Sequence, residues 1–148
     1  MAEPPKRGRL LVVEDEPSIR ELLAASLRFA GFQVETAATG EDALRSVQRQ
    51  VPDLILLDVM LPDRDGFDVV RRLRSGGLVV PVLFLTARDG AEDKITGLTI
   101  GGDDYVTKPF SLEEVIARVN AVLRRTKAQQ ESQGNRLCYA DLELEIDS

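Results

Sequence analysis

Four apolar residues in a row, Leu10, Leu11, Val12 and Val13, follow a polar and basic opening. A run so short and unbroken suits a strand buried on both faces. The period then changes. Pro17 stands where a first helical turn tolerates proline, and Ile19, Leu22, Leu23, Leu27 and Ala30 recur at helical spacing until Gly31. Residues 32–37 read as a short strand. Thr39 or Gly40 opens a second helix carrying Ala43, Leu44 and Val47, and Pro52 stops it. Residues 54–57 form another buried strand that runs out at Asp58. Pro62 and Gly66 bracket a loop, residues 67–73 are helical, and Gly76 and Gly77 break the chain before a strand over 79–85. A weak helix is predicted over 91–100, where Gly97, Thr96 and Thr99 cost helix propensity. Residues 104–107 make a last short strand. The final helix is the clearest, with Leu112, Val115, Ile116, Val119, Val122 and Leu123 on one face.

Strands that alternate with helices imply a parallel sheet covered on both sides. Five of each predict an α/β, flavodoxin-like, doubly wound five-stranded parallel sheet in the order 2-1-3-4-5. Ligands in that architecture bind at the carboxyl ends of the strands, near the topological switch point. The alternation covers residues 9–126. Residues 1–8 are expected to be a disordered tail. Residues 127–135 (KAQQESQGN) are polar and read as a linker. Residues 136–148 resume an alternating pattern through Leu137, Tyr139, Leu142, Leu144 and Ile146, which reads as strand material belonging to another unit.

Composition narrows the chemistry. The chain contains no histidine, which excludes histidine triads, histidine metal sites and histidine acid–base catalysis. Cys138 is the lone cysteine, so no internal disulfide forms, and a cytoplasmic, reducing location is expected. The opening segment lacks the apolar stretch of a secretory signal, and no apolar run is long enough to span a bilayer, so no membrane partner is expected. A formal net charge of -6 argues against this piece gripping nucleic acid through phosphate contacts.

The acids fall in informative places. Glu14 and Asp15 lie just past the first buried strand, and Asp58 ends another. Carboxylates gathered at one sheet edge repel one another and raise each other's pKa unless a cation joins them. Mg²⁺ suits them, because it prefers hard oxygen ligands and keeps several waters. Thr86 and Lys108 follow the next two strands, where a hydroxyl and an ammonium can bind phosphoryl oxygens. Singly, a strand-end acid is ordinarily a solvated loop residue, Thr86 a cap and Lys108 a surface lysine; their joint placement favours a site. Pro109 follows Lys108, and a cis bond there would direct the lysine. Glu14-Asp15-Glu16-Pro17 stands where a dinucleotide or P-loop fingerprint would be glycine-rich, so neither is present.

Val13-Glu14-Asp15-Glu16, Leu57-Asp58-Val59-Met60-Leu61-Pro62, Leu85-Thr86-Ala87-Arg88 and Tyr105-Val106-Thr107-Lys108-Pro109-Phe110 resemble, in order and spacing, the receiver domains of bacterial two-component response regulators, whose fold is CheY-like. The resemblance implies that Asp58 accepts a phosphoryl group from a sensor histidine kinase. It implies that Asp15, Asp58 and the Met60 backbone carbonyl ligate Mg²⁺, with Glu14 helping through water. Lys108 and Thr86 would bind phosphoryl oxygens, and Thr86 and Tyr105 would act as the switch, with Tyr105 turning inward. Glu14 departs mildly from the pattern, since aspartate is the commoner residue there. Phosphotransfer and slow autodephosphorylation, not turnover of a substrate, would be the only chemistry.

Residues 92–105 and 108–125 resemble, more narrowly, the winged-helix (OmpR/PhoB-type) subfamily. That implies a homodimer on phosphorylation, built from the fourth helix, fifth strand and fifth helix of the expected order. Glu114, Arg118 and Arg125 share one stripe of the last helix, and would meet Lys94 and Asp103 or Asp104 of the partner. An intrahelical Glu114–Arg118 pair is the plainer alternative. Residues 137–142 resemble the opening strands of that subfamily's DNA-binding domain, so residues 136–148 are expected to begin a truncated effector domain, with promoter DNA bound by the full-length protein only. Two rivals are weighed. An aspartyl-phosphate hydrolase would carry its nucleophile after the first strand, whereas Asp58 ends a later one. A receiver-like module that is never phosphorylated would lack an acid or the lysine, and here none is missing.

Overall fold

The computed structural model describes residues 8–87 and 104–140, with side chains described as far as Lys127. The elements are β1 (Arg9–Val13), α1 (Pro17–Phe29), β2 (Gln33–Ala37), α2 (Gly40–Arg49), β3 (Leu54–Asp58), α3 (Gly66–Ser75), β4 (Val82–Thr86), β5 (Asp104–Thr107) and α4 (Leu112–Ala140). All five strands are parallel, in the expected order β2-β1-β3-β4-β5. The described residues carry four helices; the helix expected over 91–100 lies outside them, as do residues 1–7 of the tail expected over 1–8 and residues 141–148.

Successive strand residues point to opposite faces, so the sheet divides the interior into two cores. Leu11, Val13, Ile55, Leu57, Val82 and Phe84 face α2 and α3, where Phe67 meets Phe84 edge to face at 5.0 Å. Leu10, Val12, Leu54, Leu56, Leu83 and Leu85 face the other way, toward Leu23 and Leu27 of α1 and Val115, Val119 and Val122 of α4. Both faces of β3 and β4 are therefore apolar, which is why these strands read as unbroken runs.

Local chemistry sets the helix starts. Glu16 caps α1 by accepting the Ser18 N–H at 2.9 Å ahead of Pro17, Thr39 caps α2, and Asp65 caps α3. Gly31, at φ 106°, takes the left-handed conformation that ends α1. One element differs from expectation. The last helix does not stop at 126 but runs to Ala140, through the stretch read as a linker and into the stretch read as strand. Lys127, Ala128, Gln129, Gln130, Glu131 and Gln133 are good helix formers, so polarity there is equally the polarity of a solvated helix. Among the described residues no helix is long and apolar enough to cross a membrane.

Candidate phosphoacceptor and metal site

Register brings the strand ends to one level. Val13 pairs with Leu57, Asp58 with Leu85 and Thr86 with Thr107. The residues that follow each of these positions therefore emerge along one edge of the sheet. An open cleft of about 440 Å³ lies there, walled by Glu14, Asp15, Asp58, Met60, Ala87 and Lys108 among others.

Lys108 organises the floor. Its Nζ donates to Glu14 Oε1 at 2.8 Å and to Asp58 Oδ2 at 2.9 Å. Glu14 and Asp58 are both buried, whereas Asp15 is exposed. The remaining oxygens are also engaged: Glu14 Oε2 accepts the Glu16 N–H at 3.0 Å, and Asp58 Oδ1 accepts the Met60 N–H at 2.9 Å. Burial, with the charge of Asp58 adding to it, pushes the Glu14 carboxyl above the ordinary glutamate range, although Lys108 and the Glu16 N–H pull the other way. Burial alone would lower the Lys108 pKa, but hydrogen bonds to Glu14 and Asp58 outweigh it and raise the ammonium above its usual value. Lys108 thus stays charged among acids that would otherwise repel one another.

Glu14, Asp15 and Asp58 can each place a carboxylate oxygen within 4.8 Å of the others'. All three donors are hard oxygens, and Met60 lines the same cleft, so the residues fit a Mg²⁺ ion. Thr86 is fully buried at the end of β4, and its carbonyl accepts the Lys108 N–H at 2.7 Å. The Lys108–Pro109 bond is cis. Tyr105 is half-buried, its ring 6.2 Å from that of Phe84.

The other expected set is brought together only in part. Asp104 and Arg118 meet within one chain, and Arg118 also reaches Glu114. Lys94 and Asp103 lie outside the described residues, and Arg125 sits further along α4.

Three neighbours escaped the sequence reading. Arg20 of α1 donates to the backbone carbonyls of Glu14 at 2.9 Å and Asp15 at 3.3 Å, holding the loop that carries both acids. Asp63 accepts from the first N–H groups of α2, and Gly66 lies against the backbone of Asp58. Nothing in local periodicity flags a side chain that acts on a backbone in another loop.

Residues 10–120 match the family described as response regulator receiver domain. The chain is 51% identical over 139 residues to the probable transcriptional regulatory protein TcrX of Mycobacterium tuberculosis, covering 94% of this chain and 59% of that protein. It is 47% identical over 137 residues to response regulator MprA of Mycobacterium leprae, covering 93% of this chain and 60% of that protein. The chain thus spans about three fifths of the length of these relatives. Among solved structures it resembles the receiver domain of Francisella response regulator 1452, with a TM-score of 0.78 and 37% identity over 81% of this chain and 99% of that one.

Proposed function

Since the chain belongs to the family of response regulator receiver domains, we propose that it serves as a phosphorylation-driven signalling domain in which Asp58 takes the phosphoryl group of a sensor kinase's phosphohistidine. One observation carries the reading: a single ammonium, Lys108, reaches both Asp58 and Glu14 at the carboxyl edge of the sheet. A carboxylate oxygen of Asp58 forms the new bond to phosphorus in line with the departing imidazole, as the phosphorus–nitrogen bond breaks. The protein contributes position and charge balance more than covalent chemistry.

Asp15, Asp58 and the Met60 carbonyl would hold Mg²⁺, with Glu14 behind them through water. When bound, the ion neutralises charge on the phosphoryl oxygens. Lys108 exchanges its bond to Asp58 for one to a phosphoryl oxygen, while Glu14 keeps its other proton in place. The Thr86 hydroxyl takes a second oxygen, and Tyr105 follows inward, shifting an existing equilibrium rather than creating a new fold.

The output belongs to the longer protein. Phosphorylation favours a two-fold dimer through residues 91–100, β5 and α4, using Lys94, Asp103, Asp104, Glu114, Arg118 and Arg125. The segment from about 127 onward links this domain to a DNA-binding domain, in a cytoplasmic transcriptional regulator. The test is treatment with acetyl phosphate and Mg²⁺, followed by intact mass and mapping of the adduct. One phosphoryl group per chain on Asp58 is expected, with Asp15→Ala needing far more Mg²⁺. Undiminished labelling of Asp58→Asn would overturn the assignment, and multiple turnover of a phosphoester would favour a hydrolase.

A further inference from the structure

We infer that Asp63 is a positioning residue, which pins the loop carrying Met60 to the start of α2 and thereby sets how tightly the cleft holds a divalent cation. The inference rests on the receiver reading above, and concerns a residue outside the acidic cluster.

A helix leaves its first N–H groups without partners inside the helix. In α2 they are shared between two sources. The local cap, Thr39, accepts the Asp42 N–H through its hydroxyl at 3.0 Å. The two donors before it, the N–H groups of Gly40 and Glu41, go to Asp63, at 2.8 Å through Oδ1 and 2.9 Å through Oδ2. Burial would raise the Asp63 pKa, but those N–H groups hold it below the ordinary aspartate value, so Asp63 stays an anion at the positive end of the helix.

Arg64 braces the same junction. It reaches Glu41 of α2 at 3.0 Å and Asp68 of α3 at 3.3 Å, and its Nε lies 3.7 Å from Asp63 Oδ2. The packing leaves no slack, for a Cβ on Gly40 would sit 2.6 Å from Arg64 Cγ.

The same loop begins on Asp58 and closes on its neighbour Val59. The Met60 N–H donates to Asp58 Oδ1 at 2.9 Å, Met60 bridges Asp65, and the Gly66 N–H donates to the Val59 carbonyl at 2.7 Å. Between those ends, Asp63 and Arg64 tie the loop to an outside element. Releasing Asp63 would let the segment after Met60 move, and with it the carbonyl that would serve the metal. Partners that orient a ligand in this indirect way commonly govern affinity without touching the ion.

The experiment compares Asp63→Ala with Thr39→Ala. Each removes acceptors from the same helix end, and both should lower the urea midpoint. Only Asp63 touches the loop. By calorimetric titration with MgCl₂, Asp63→Ala should bind about tenfold more weakly, Asp63→Asn should fall between it and wild type, and Thr39→Ala should match wild type. In metal-free protein, amide hydrogen exchange at Met60 should quicken in Asp63→Ala and not in Thr39→Ala. Equal Mg²⁺ affinity in Asp63→Ala and wild type, or equal weakening by Thr39→Ala, would overturn the inference. If Asp63→Ala does not fold, Asp63→Asn decides on the same terms. Failure of wild type to bind Mg²⁺ would sink the receiver reading instead, and Met60 exchange would still decide whether Asp63 holds the loop.

Discussion

Arg118 Nη1 donates to both carboxylate oxygens of Asp104, at 3.1 and 3.0 Å, fastening α4 to β5 within one chain. The arginine that would reach a dimer partner is therefore already engaged, and association has to exchange one partner for another. Its side chain is 41% exposed, so solvent screens the pair and its net worth is about 0.5 kcal/mol or less. Such an exchange is cheap. In sedimentation, a beryllofluoride-treated chain should gain dimer that weakens as salt rises. Arg118→Glu should reduce that gain while changing monomer stability by less than about 1 kcal/mol. A dimer indifferent to this substitution would put the interface elsewhere.

Glu14 gives the protein a predictable pH response. The unfolded chain ionises this group near 4.5, whereas burial, reinforced by the charge of Asp58, raises it in the folded chain. Within that window the folded state keeps a proton that the unfolded state has released, so the contribution of Glu14 to stability falls as pH rises from 4.5 through the folded value. Urea midpoints of wild type and Glu14→Gln should diverge across that range, with wild type losing ground as pH rises. A constant difference from pH 4 to 7 would show that the carboxyl is not perturbed. Lys108 works on the other limb: its contribution is complete below 10.5 and disappears as pH rises through its higher folded value.

Gly66 opens α3 with no room for a side chain. A Cβ there would lie 2.5 Å from the Asp58 carbonyl oxygen and 3.0 Å from Val59 Cα, both backbone atoms that cannot swing aside. Alanine gains up to about 1 kcal/mol of helix propensity, but overpacking commonly costs about 1–3 kcal/mol. Gly66→Ala should therefore be net destabilising and should slow labelling of Asp58 by acetyl phosphate, because the phosphoacceptor's own peptide has to shift. Wild-type stability together with a wild-type labelling rate would refute the close approach.

On the proposed function, DNA binding should belong to a longer protein and not to these 148 residues alone. With a net charge of -6 the 148-residue chain lacks a broad basic field, which supplies most non-specific affinity for a duplex. On tandem-repeat promoter DNA at physiological salt, the chain alone should not bind specifically, while a protein continuing past Ser148 should. Tight specific binding by the 148 residues would overturn this division of labour.

Much of the architecture was legible because the strands and helices have distinct periods. The apolar runs of β1, β3 and β4 end where the acids and Thr86 begin, and together with the expected parallel sheet this pointed to one shared edge. The direct bonds from Lys108 to both Glu14 and Asp58 were legible only as a neighbourhood, since register across the sheet decides which oxygens meet one ammonium. Asp63 was opaque, because its two acceptors serve backbone N–H groups at the start of a helix more than twenty residues away. The extent of α4 was misjudged for a different reason: Lys, Gln and Glu are common to flexible linkers and to solvated helices.

The division of the interior by the sheet has a thermodynamic consequence. Leu56 and Leu57 share a peptide bond, yet Leu56 packs in the core that contains Leu27 and Val119, and Leu57 in the core that contains Val47 and Phe67. Truncating either to alanine should cost about 2–5 kcal/mol. The two losses should nearly add, because the cavities open on opposite sides and share no lining, whereas paired truncations of Leu57 and Phe67, far apart in the chain, should depart from additivity. Energetic neighbourhood in this protein follows the face of the sheet, so adjacent residues can be strangers and distant ones coupled.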